Sequence, residues 1–363
     1  MTDLNQAISL NSKNSNAYMT RGRIKFAQKD YKNALSDFMQ TTALDPKNSA
    51  AYYNKGLSER YLQDYKSAIA DYTMAIAIDP TDPDYFNDRG VSKKNLDDYK
   101  GAIEDYSQAI TLNPKFESPY YNRGLAKNKL KDYKGAIDDF NKSIELIPAN
   151  ADAYYGRGDS KRYMEDFKGA IEDYTKVISL DNDIDAYNAR GLCRSHLEDY
   201  LGAIIDYNKA LAIDAKYANA YYNRALANGG LKNLNDALDD NNTYITLEPK
   251  DPDGYFKRAN TKFELEDYKS AIDDYSATIA LDSQYIDAWF NRALSKRYLN
   301  DFKGAGDDYS QAIVLDPKYE DAYNNRGIVK VHLNDTAGAC ADFKKALELG
   351  SKDAPDNIAK FCK

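Results

Sequence analysis

The sequence predicts an all-α fold, an α-solenoid of tandem helical hairpins. A 34-residue unit recurs through almost the whole chain, in the form AYYNRGLAK…L.DYKGAI.DY..AI.LDPK. Within each unit, apolar residues recur three and four positions apart in two runs, which is the spacing of two helices. Small residues at the eighth and twentieth positions would let the two helices of a hairpin approach closely.

The repeat register divides the chain into three parts. Residues 1–14 match only the second helix of a unit, residues 15–353 hold ten complete units, and residues 354–363 match the start of another first helix that would cap the array. Because a solenoid that begins in mid-unit exposes apolar surface, we expect either a fragment of a longer protein or a front end covered by another chain. The complete units begin at residues 15, 49, 83, 117, 151, 184, 218, 252, 286 and 320.

The unit that begins at residue 117 illustrates the hairpin. Tyr120 and Gly124 lie on its first helical run, and Asp132 precedes the second run. The Asp132 carboxylate can accept a hydrogen bond from the free N–H groups that open the second helix. Pro148 ends that helix because it has no N–H to donate.

The period, the small-residue columns and the placement of Tyr, Ala and Pro resemble the tetratricopeptide repeat, and the NRG and DYKGAI segments are similar to bacterial members of that family. The resemblance implies a right-handed superhelix whose first helices line a concave groove. We therefore expect a non-catalytic scaffold or adaptor that binds a peptide or protein. The alternatives are a self-associating structural protein that docks through its uncapped N-terminal end, and an interaction module of a larger enzyme or of a secretion or assembly complex.

Aromatic and basic residues recur on the predicted first helices, at the fifth, sixth, twelfth and thirteenth positions. Aromatic and arginine side chains dominate binding hot spots, although aromatics at helical spacing are also typical of packing between adjacent units. The family's carboxylate clamp is not expected, because no lysine occupies the second or fifth position. The residues expected to line the groove are Tyr53, Arg60, Tyr61, Tyr121, Tyr155, Arg162, Tyr163, Tyr222, Phe256, Lys257, Phe290, Arg297 and Tyr298.

An Arg–Asp ladder runs through the units. The seventh position is Arg in nine units and Lys55 in the other, and the twenty-third is Asp in all ten. These residues predict ten ion pairs, formed within a hairpin or across to the next, in preference to a basic track for an acidic ligand.

The segment 181–251 departs from the regular pattern. One unit is a residue short, the next contains Gly229 and Gly230, and Asn241 and Tyr244 exchange the usual large and small positions. These changes predict a local bend of the superhelix, a local pocket, or drift that compensating packing tolerates. The residues to examine first are Tyr221, Tyr222, Arg224, Phe256 and Lys257.

Composition and motifs disfavour other functions. The net charge of −8 argues against nucleic-acid binding, and no apolar stretch is long enough to insert in a membrane. The two histidines, His196 and His332, lie far apart, and no metal or phosphate motif is present, so neither enzyme activity nor a cofactor is expected. Because MTDLNQAISL is not a secretion signal, the expected location is the cytoplasm, or the periplasm or exterior if an upstream signal was removed.

The cysteines leave two alternatives open. Cys340 and Cys362 could face each other across one seam near the C-terminus and form a disulfide, which would imply an oxidising compartment. We favour two buried thiols, because cysteine is among the most frequently buried residues. Cys193 occupies a column of small residues and is expected to serve packing alone.

Overall fold

The computed structural model describes residues 1–362, which form helices, turns and connecting segments without a β-strand. This confirms the predicted all-α solenoid of paired helices. Tertiary contacts divide the chain into two compact parts, which we call the N-terminal half, Met1–Ala186, and the C-terminal half, Tyr187–Lys363. No helix within residues 1–362 has the length and apolar character needed to cross a bilayer.

Helix α1 is followed by a strict alternation of first and second helices. The helices of the N-terminal half are α1 Thr2–Leu10, α2 Ser15–Ala27, α3 Tyr31–Leu44, α4 Ser49–Tyr61, α5 Tyr65–Ile78, α6 Pro83–Asn95, α7 Tyr99–Leu112, α8 Glu117–Lys129, α9 Tyr133–Leu146, α10 Ala151–Tyr163 and α11 Phe167–Asp181. The C-terminal half begins within α12 and contains α12 Ile184–His196, α13 Tyr200–Ile213, α14 Ala218–Gly230, α15 Leu234–Leu247, α16 Pro252–Glu264, α17 Tyr268–Leu281, α18 Ile286–Tyr298, α19 Phe302–Leu315, α20 Glu320–His332, α21 Thr336–Glu348 and α22 Ala354–Phe361.

A tight turn joins the two helices of each hairpin. Lys131 takes a left-handed backbone conformation with φ of 63°, and Asp132 then accepts a hydrogen bond from the Gly135 N–H at 3.0 Å. The predicted cap is therefore confirmed, and it satisfies one of the free N–H groups of α9. Helix α9 ends at Leu146, two residues before Pro148, as the sequence predicts.

The small-residue columns mark the closest approach between the helices of a hairpin. The Phe140 ring of α9 lies directly over Gly124 of α8, and a Cβ at Gly124 would come within 2.9 Å of that ring. Ala136 and Phe140 are completely buried. Glycine is disfavoured within helices, but here it lets a large ring fill the hairpin without a void.

Helix α22 packs against α20 and α21, and a disulfide joins Cys362, at its end, to Cys340 of α21. The interpretation of these residues as two buried thiols is wrong. That interpretation relied on the general tendency of cysteine to be buried, whereas the fold brings this pair close enough to form a bond. Cys193 is buried, in agreement with its expected packing role.

Opening this disulfide is expected to loosen α22. The bond closes a loop between residues 22 positions apart, for which chain entropy alone suggests a stabilisation of about 3 kcal/mol. We expect Cys362→Ser to increase amide exchange in α22 while exchange in α8 and α9 stays unchanged. Equal alkylation of Cys340 before and after reduction of the native protein would show that the bond is not formed.

Candidate protein-binding surface

The first helices of neighbouring hairpins contact one another. In the N-terminal half, α2 touches α4, and α4, α6, α8 and α10 continue the row. In the C-terminal half, α18, α20 and α22 touch in the same way. In each half of the chain, we call the side formed by the first helices of the hairpins the first-helix face. All the residues that the sequence predicts to line a groove lie on these helices.

The predicted groove residues at the fifth position turn their rings inward. The Tyr121 ring lies 6.0 Å from Phe140 between centroids, and Tyr155 lies 5.5 Å from Tyr174. These partners belong to the second helix of the same hairpin, so the rings stabilise the hairpin beneath the surface. The same inward contacts join Tyr53 with Tyr72, Tyr222 with Tyr244, Phe256 with Tyr275 and Phe290 with Tyr309.

Phe256 is the most deeply placed of the predicted groove residues. Its ring is only 7% exposed and lies 4.8 Å from Tyr285, the N-cap residue of α18. The ammonium of Lys257 sits 5.8 Å from the same ring centroid. A partner would therefore meet Lys257 at the surface, and Phe256 can contribute only as the floor beneath it.

The thirteenth position is different, because its tyrosines reach solvent beside the half-buried arginines of the twelfth position. Tyr163 is 56% exposed and stacks on Tyr133 of the preceding hairpin, with centroids 5.2 Å apart, and the guanidinium carbon of Arg162 lies 4.5 Å from the Tyr163 centroid. We call such a group an Arg–Tyr stack; the others are Arg60 and Tyr61 on Tyr31, and Arg297 and Tyr298 on Tyr268. Each stack presents a fixed aromatic ring with a cation beside it.

A polar network that the sequence analysis missed fixes the groups around Tyr53. The Tyr53 hydroxyl donates to Asp88 at 2.7 Å, and the side-chain amide of Asn87 donates to the same carboxylate at 3.3 Å. Burial raises the pKa of Asp88, and the positive charge of Arg60 opposes that shift. Asp88 stands at the sixth position of its repeat unit, where most units have a neutral residue. This difference was the only feature of the sequence that pointed to the polar network.

The N-terminal half also contains a cavity of about 580 Å³ beside its second Arg–Tyr stack. Lys94 is half-buried there, and burial lowers the pKa of its ammonium group. The sequence pattern placed Lys94 in the twelfth-position column but did not reveal a cavity. The lining residues are Lys94, Tyr99, Leu125, Asn128, Lys129, Lys131, Tyr133, Asp159 and Tyr163.

The Arg–Asp ladder is confirmed, and every pair closes within one hairpin. Arg123 donates through Nε and Nη2 to Asp139 at 3.0 and 2.6 Å, while its Nη1 donates to Ser107 of the preceding hairpin at 2.9 Å. The ten pairs are Arg21–Asp37, Lys55–Asp71, Arg89–Asp105, Arg123–Asp139, Arg157–Asp173, Arg190–Asp206, Arg224–Asp240, Arg258–Asp274, Arg292–Asp308 and Arg326–Asp342.

A second cation joins most of these pairs and was not foreseen. Lys127, at the eleventh position, lies 2.7 Å from the other oxygen of Asp139. Asp139 is 3% exposed, so its charge is buried and doubly compensated. The ladder therefore serves as structural ion pairing, which agrees with the preferred interpretation of the sequence.

Compensating packing accounts for the exchange of Asn241 and Tyr244 in the irregular segment. The Tyr244 ring packs 5.1 Å from Tyr222, and it lies where a Cβ on Gly254 would come within 2.8 Å. Gly254 thus makes room for the displaced ring. The Asn241 side chain is buried and donates to the Thr261 hydroxyl at 3.2 Å.

The residues that metals prefer are dispersed. Within residues 1–362, no group of three or more His, Cys, Asp or Glu side chains is placed to hold a metal ion. The His332 ring lies flat on Phe302, with centroids 4.3 Å apart, and so contributes to packing.

Solved structures with a similar fold are known. PilF of Pseudomonas aeruginosa covers 57% of this chain and 94% of its own, at 17% identity and a TM-score of 0.50. A tetratricopeptide repeat protein from Parabacteroides merdae covers 77% and 99%, at 17% identity and a TM-score of 0.48. YrrB, a TPR protein with an unusual peptide-binding site, covers 50% and 94%, at 23% identity and a TM-score of 0.46. At these identities the similarity concerns the fold alone.

The search of the curated proteins found no match. Family models do match the sequence, and five of the seven matches coincide with single repeat units to within one residue. Models described as tetratricopeptide repeat match residues 15–48, 49–82, 118–150, 151–184, 184–217 and 290–354, and one described as TPR repeat matches residues 94–131. Together these matches cover more than half of the chain. The chain therefore belongs to the tetratricopeptide repeat family, which indicates a scaffold for protein–protein interaction.

Proposed function

We propose that this protein is a non-catalytic scaffold that binds a protein or peptide partner on its first-helix face. The observation that carries the proposal is the Arg–Tyr stack, which recurs on α4, α10 and α18. Tyr61, Tyr163 and Tyr298 are each about half exposed although each is held by a neighbouring ring. Large rings that are already ordered lose little conformational entropy on binding, which favours them as contact points.

The experiment compares partner recovery by two triple variants with that by the wild type. Tyr61→Ser, Tyr163→Ser and Tyr298→Ser remove the exposed rings of the first-helix face. The matched control removes three exposed apolar side chains from second helices, through Met39→Ser, Leu201→Ser and Ile205→Ser. Alanine at Tyr121 or Tyr155 is avoided because it would open cavities within the hairpins.

The first-helix variant is expected to recover specific partners about fivefold less well than the wild type, and the control variant equally well. Circular dichroism melts should confirm that both variants remain folded. Equal recovery by all three proteins would reject the first-helix face as the binding surface.

A second copy of the chain is the other partner that we propose to test. Helix α1 has no buried residue, and Leu10 at its end is 80% exposed. An exposed apolar side chain of this kind can be covered by self-association. Light scattering after size-exclusion chromatography should show a dimer that Leu10→Ser dissociates; a monomer at all concentrations would exclude this alternative.

A further inference from the structure

The three Arg–Tyr stacks differ in the residue at the twelfth position of the preceding hairpin. In the first, Phe26 packs edge-on against Tyr31 and Tyr61, at centroid distances of 5.2 and 5.4 Å. In the third, Phe263 packs in the same way against Tyr268 and Tyr298, at 5.2 and 5.6 Å. Both phenylalanines occupy the twelfth position of their units, so the chain itself shows that a phenyl ring fits beside such a stack.

The second stack lacks this ring. Asn128 occupies the twelfth position there, and its side chain is held on α10: its Oδ1 accepts from the Ser160 hydroxyl at 2.8 Å and its Nδ2 donates to the Gly156 carbonyl at 3.3 Å. The cavity of about 580 Å³ lies beside Asn128, Tyr133 and Tyr163. The aromatic stack is thus present while the place of the third ring is vacant.

The cavity is also basic, although the chain as a whole carries a net charge of −8. Lys94, Lys129 and Lys131 line it, and Asp159 is its only acidic lining residue. Asp159 is already engaged, because it accepts hydrogen bonds from the Tyr174 hydroxyl at 2.8 Å and from Arg162 at 3.1 Å. Within residues 1–362, the Lys94 ammonium makes neither a hydrogen bond nor an ion pair. An anion beside Lys94 would therefore find an uncompensated cation.

We propose that this cavity binds an aromatic side chain of a partner segment that carries acidic residues next to the ring. The ring takes the place that Phe26 and Phe263 fill in the other stacks, and the flanking carboxylates meet Lys94, Lys129 and Lys131. A segment of protein fits better than a single small molecule, because the basic residues lie on α6 and around the end of α8, on two hairpins. The proposal rests on the proposed function, since it specifies what part of the first-helix face recognises.

The test uses fluorescence anisotropy with three labelled seven-residue peptides and the full chain. The first peptide is acidic with a central phenylalanine, the second has alanine in its place, and the third has lysines in place of the acidic residues. We expect the first to bind about tenfold more tightly than either of the others. Equal affinity for all three, or no binding of the first, would overturn the proposal.

Asn128→Phe is the decisive variant, because it supplies the ring from the chain itself. Hairpins with Phe26 and Phe263 already tolerate phenylalanine at this position, so the variant should fold with an unchanged or higher melting temperature. We expect it to lose about tenfold in affinity for the first peptide. Lys94→Gln should weaken the binding of the first peptide by about threefold, and Lys100→Gln, an exposed lysine of α7, should leave it unchanged.

The outcomes separate this inference from the proposed function. If Asn128→Phe binds the first peptide as well as the wild type does, the ring site is wrong, whatever the result of the partner-recovery experiment. If free phenylacetate competes as effectively as the peptide, the cavity is a small-molecule site and the proposal of a protein segment fails. Loss of partner recovery in the Tyr61, Tyr163 and Tyr298 variant would still support the first-helix face in either case.

Discussion

Replacing Arg123 with alanine is expected to lower the free energy of unfolding by about 3 kcal/mol. The change removes three hydrogen bonds, two to Asp139 and one to Ser107. It leaves the 3% exposed Asp139 carboxylate with Lys127 as its remaining cation. The midpoint of urea unfolding measures the loss, and hydrogen exchange should show it in α8 and α9 first, because hairpins in a solenoid stabilise mainly their neighbours.

The chain offers matched controls for this experiment. Lys55 occupies the place of Arg123 in another hairpin and reaches Asp71 at 3.0 Å, so Arg123→Lys should fall between the wild type and the alanine variant. Lys134 is an exposed lysine on α9, and its replacement by alanine should change the midpoint little. If Arg123→Ala unfolds at the wild-type midpoint, the ladder does not stabilise the hairpins.

Replacing Glu59 with lysine is expected to stabilise the protein by about 2 kcal/mol at pH 8. Glu59 is 7% exposed and stands at the eleventh position, where most hairpins have the second cation of the ladder. Its Oε2 is buried and has no hydrogen-bond partner within residues 1–362. Lysine at this place should pair with Asp71 as Lys93 pairs with Asp105 at 2.8 Å.

The same site predicts the pH dependence of stability. Burial, together with the neighbouring Asp71 carboxylate, raises the pKa of Glu59 from 4.5 to about 8. Between these values the folded protein keeps the Glu59 proton and the unfolded chain releases it. The Glu59 contribution to stability therefore falls as pH rises through this window and levels off above about pH 8.

Glu59→Gln is the control, because it removes the titration without adding a cation. Urea midpoints should decline from pH 5 to pH 8 more steeply in the wild type than in Glu59→Gln, and Glu59→Lys should be the most stable of the three at pH 8. Parallel pH profiles for the wild type and Glu59→Gln would contradict the assignment.

Most of the fold could be predicted because its determinants recur in the same column of every unit. The glycine beneath Phe140 and the aspartate that caps α9 act within one hairpin, where their spacing along the sequence fixes their contacts. The Arg123–Asp139 pair was predicted for the same reason. Lys127 was missed, because a lysine on a polar helix has the same appearance in sequence whether it is solvated or paired with a buried carboxylate.

The candidate site was harder to predict because it depends on differences between hairpins. The pattern placed aromatic residues on the first helices, but it did not separate Tyr121, which packs inward, from Tyr163, which reaches solvent. The cavity beside Asn128 could be recognised only by comparison with Phe26 and Phe263 in their three-dimensional settings. The register indicated that Cys340 and Cys362 could face each other, but it did not decide between a disulfide and two thiols, because that depends on how closely α22 approaches α21.

The way in which the ladder closes has a consequence for how such a gene can change in length. Each charged pair is complete within one hairpin, and what crosses to the preceding hairpin is a hydrogen bond from arginine to a neutral side chain, such as Thr73, Ser107 or Asn141. Duplication or deletion of a whole 34-residue segment therefore adds or removes both partners of an ion pair together. Where the preceding hairpin supplies Thr, Ser or Asn at the matching position, the new junction again places an arginine beside a hydroxyl or amide, so unequal recombination can lengthen or shorten the protein without stranding a buried charge.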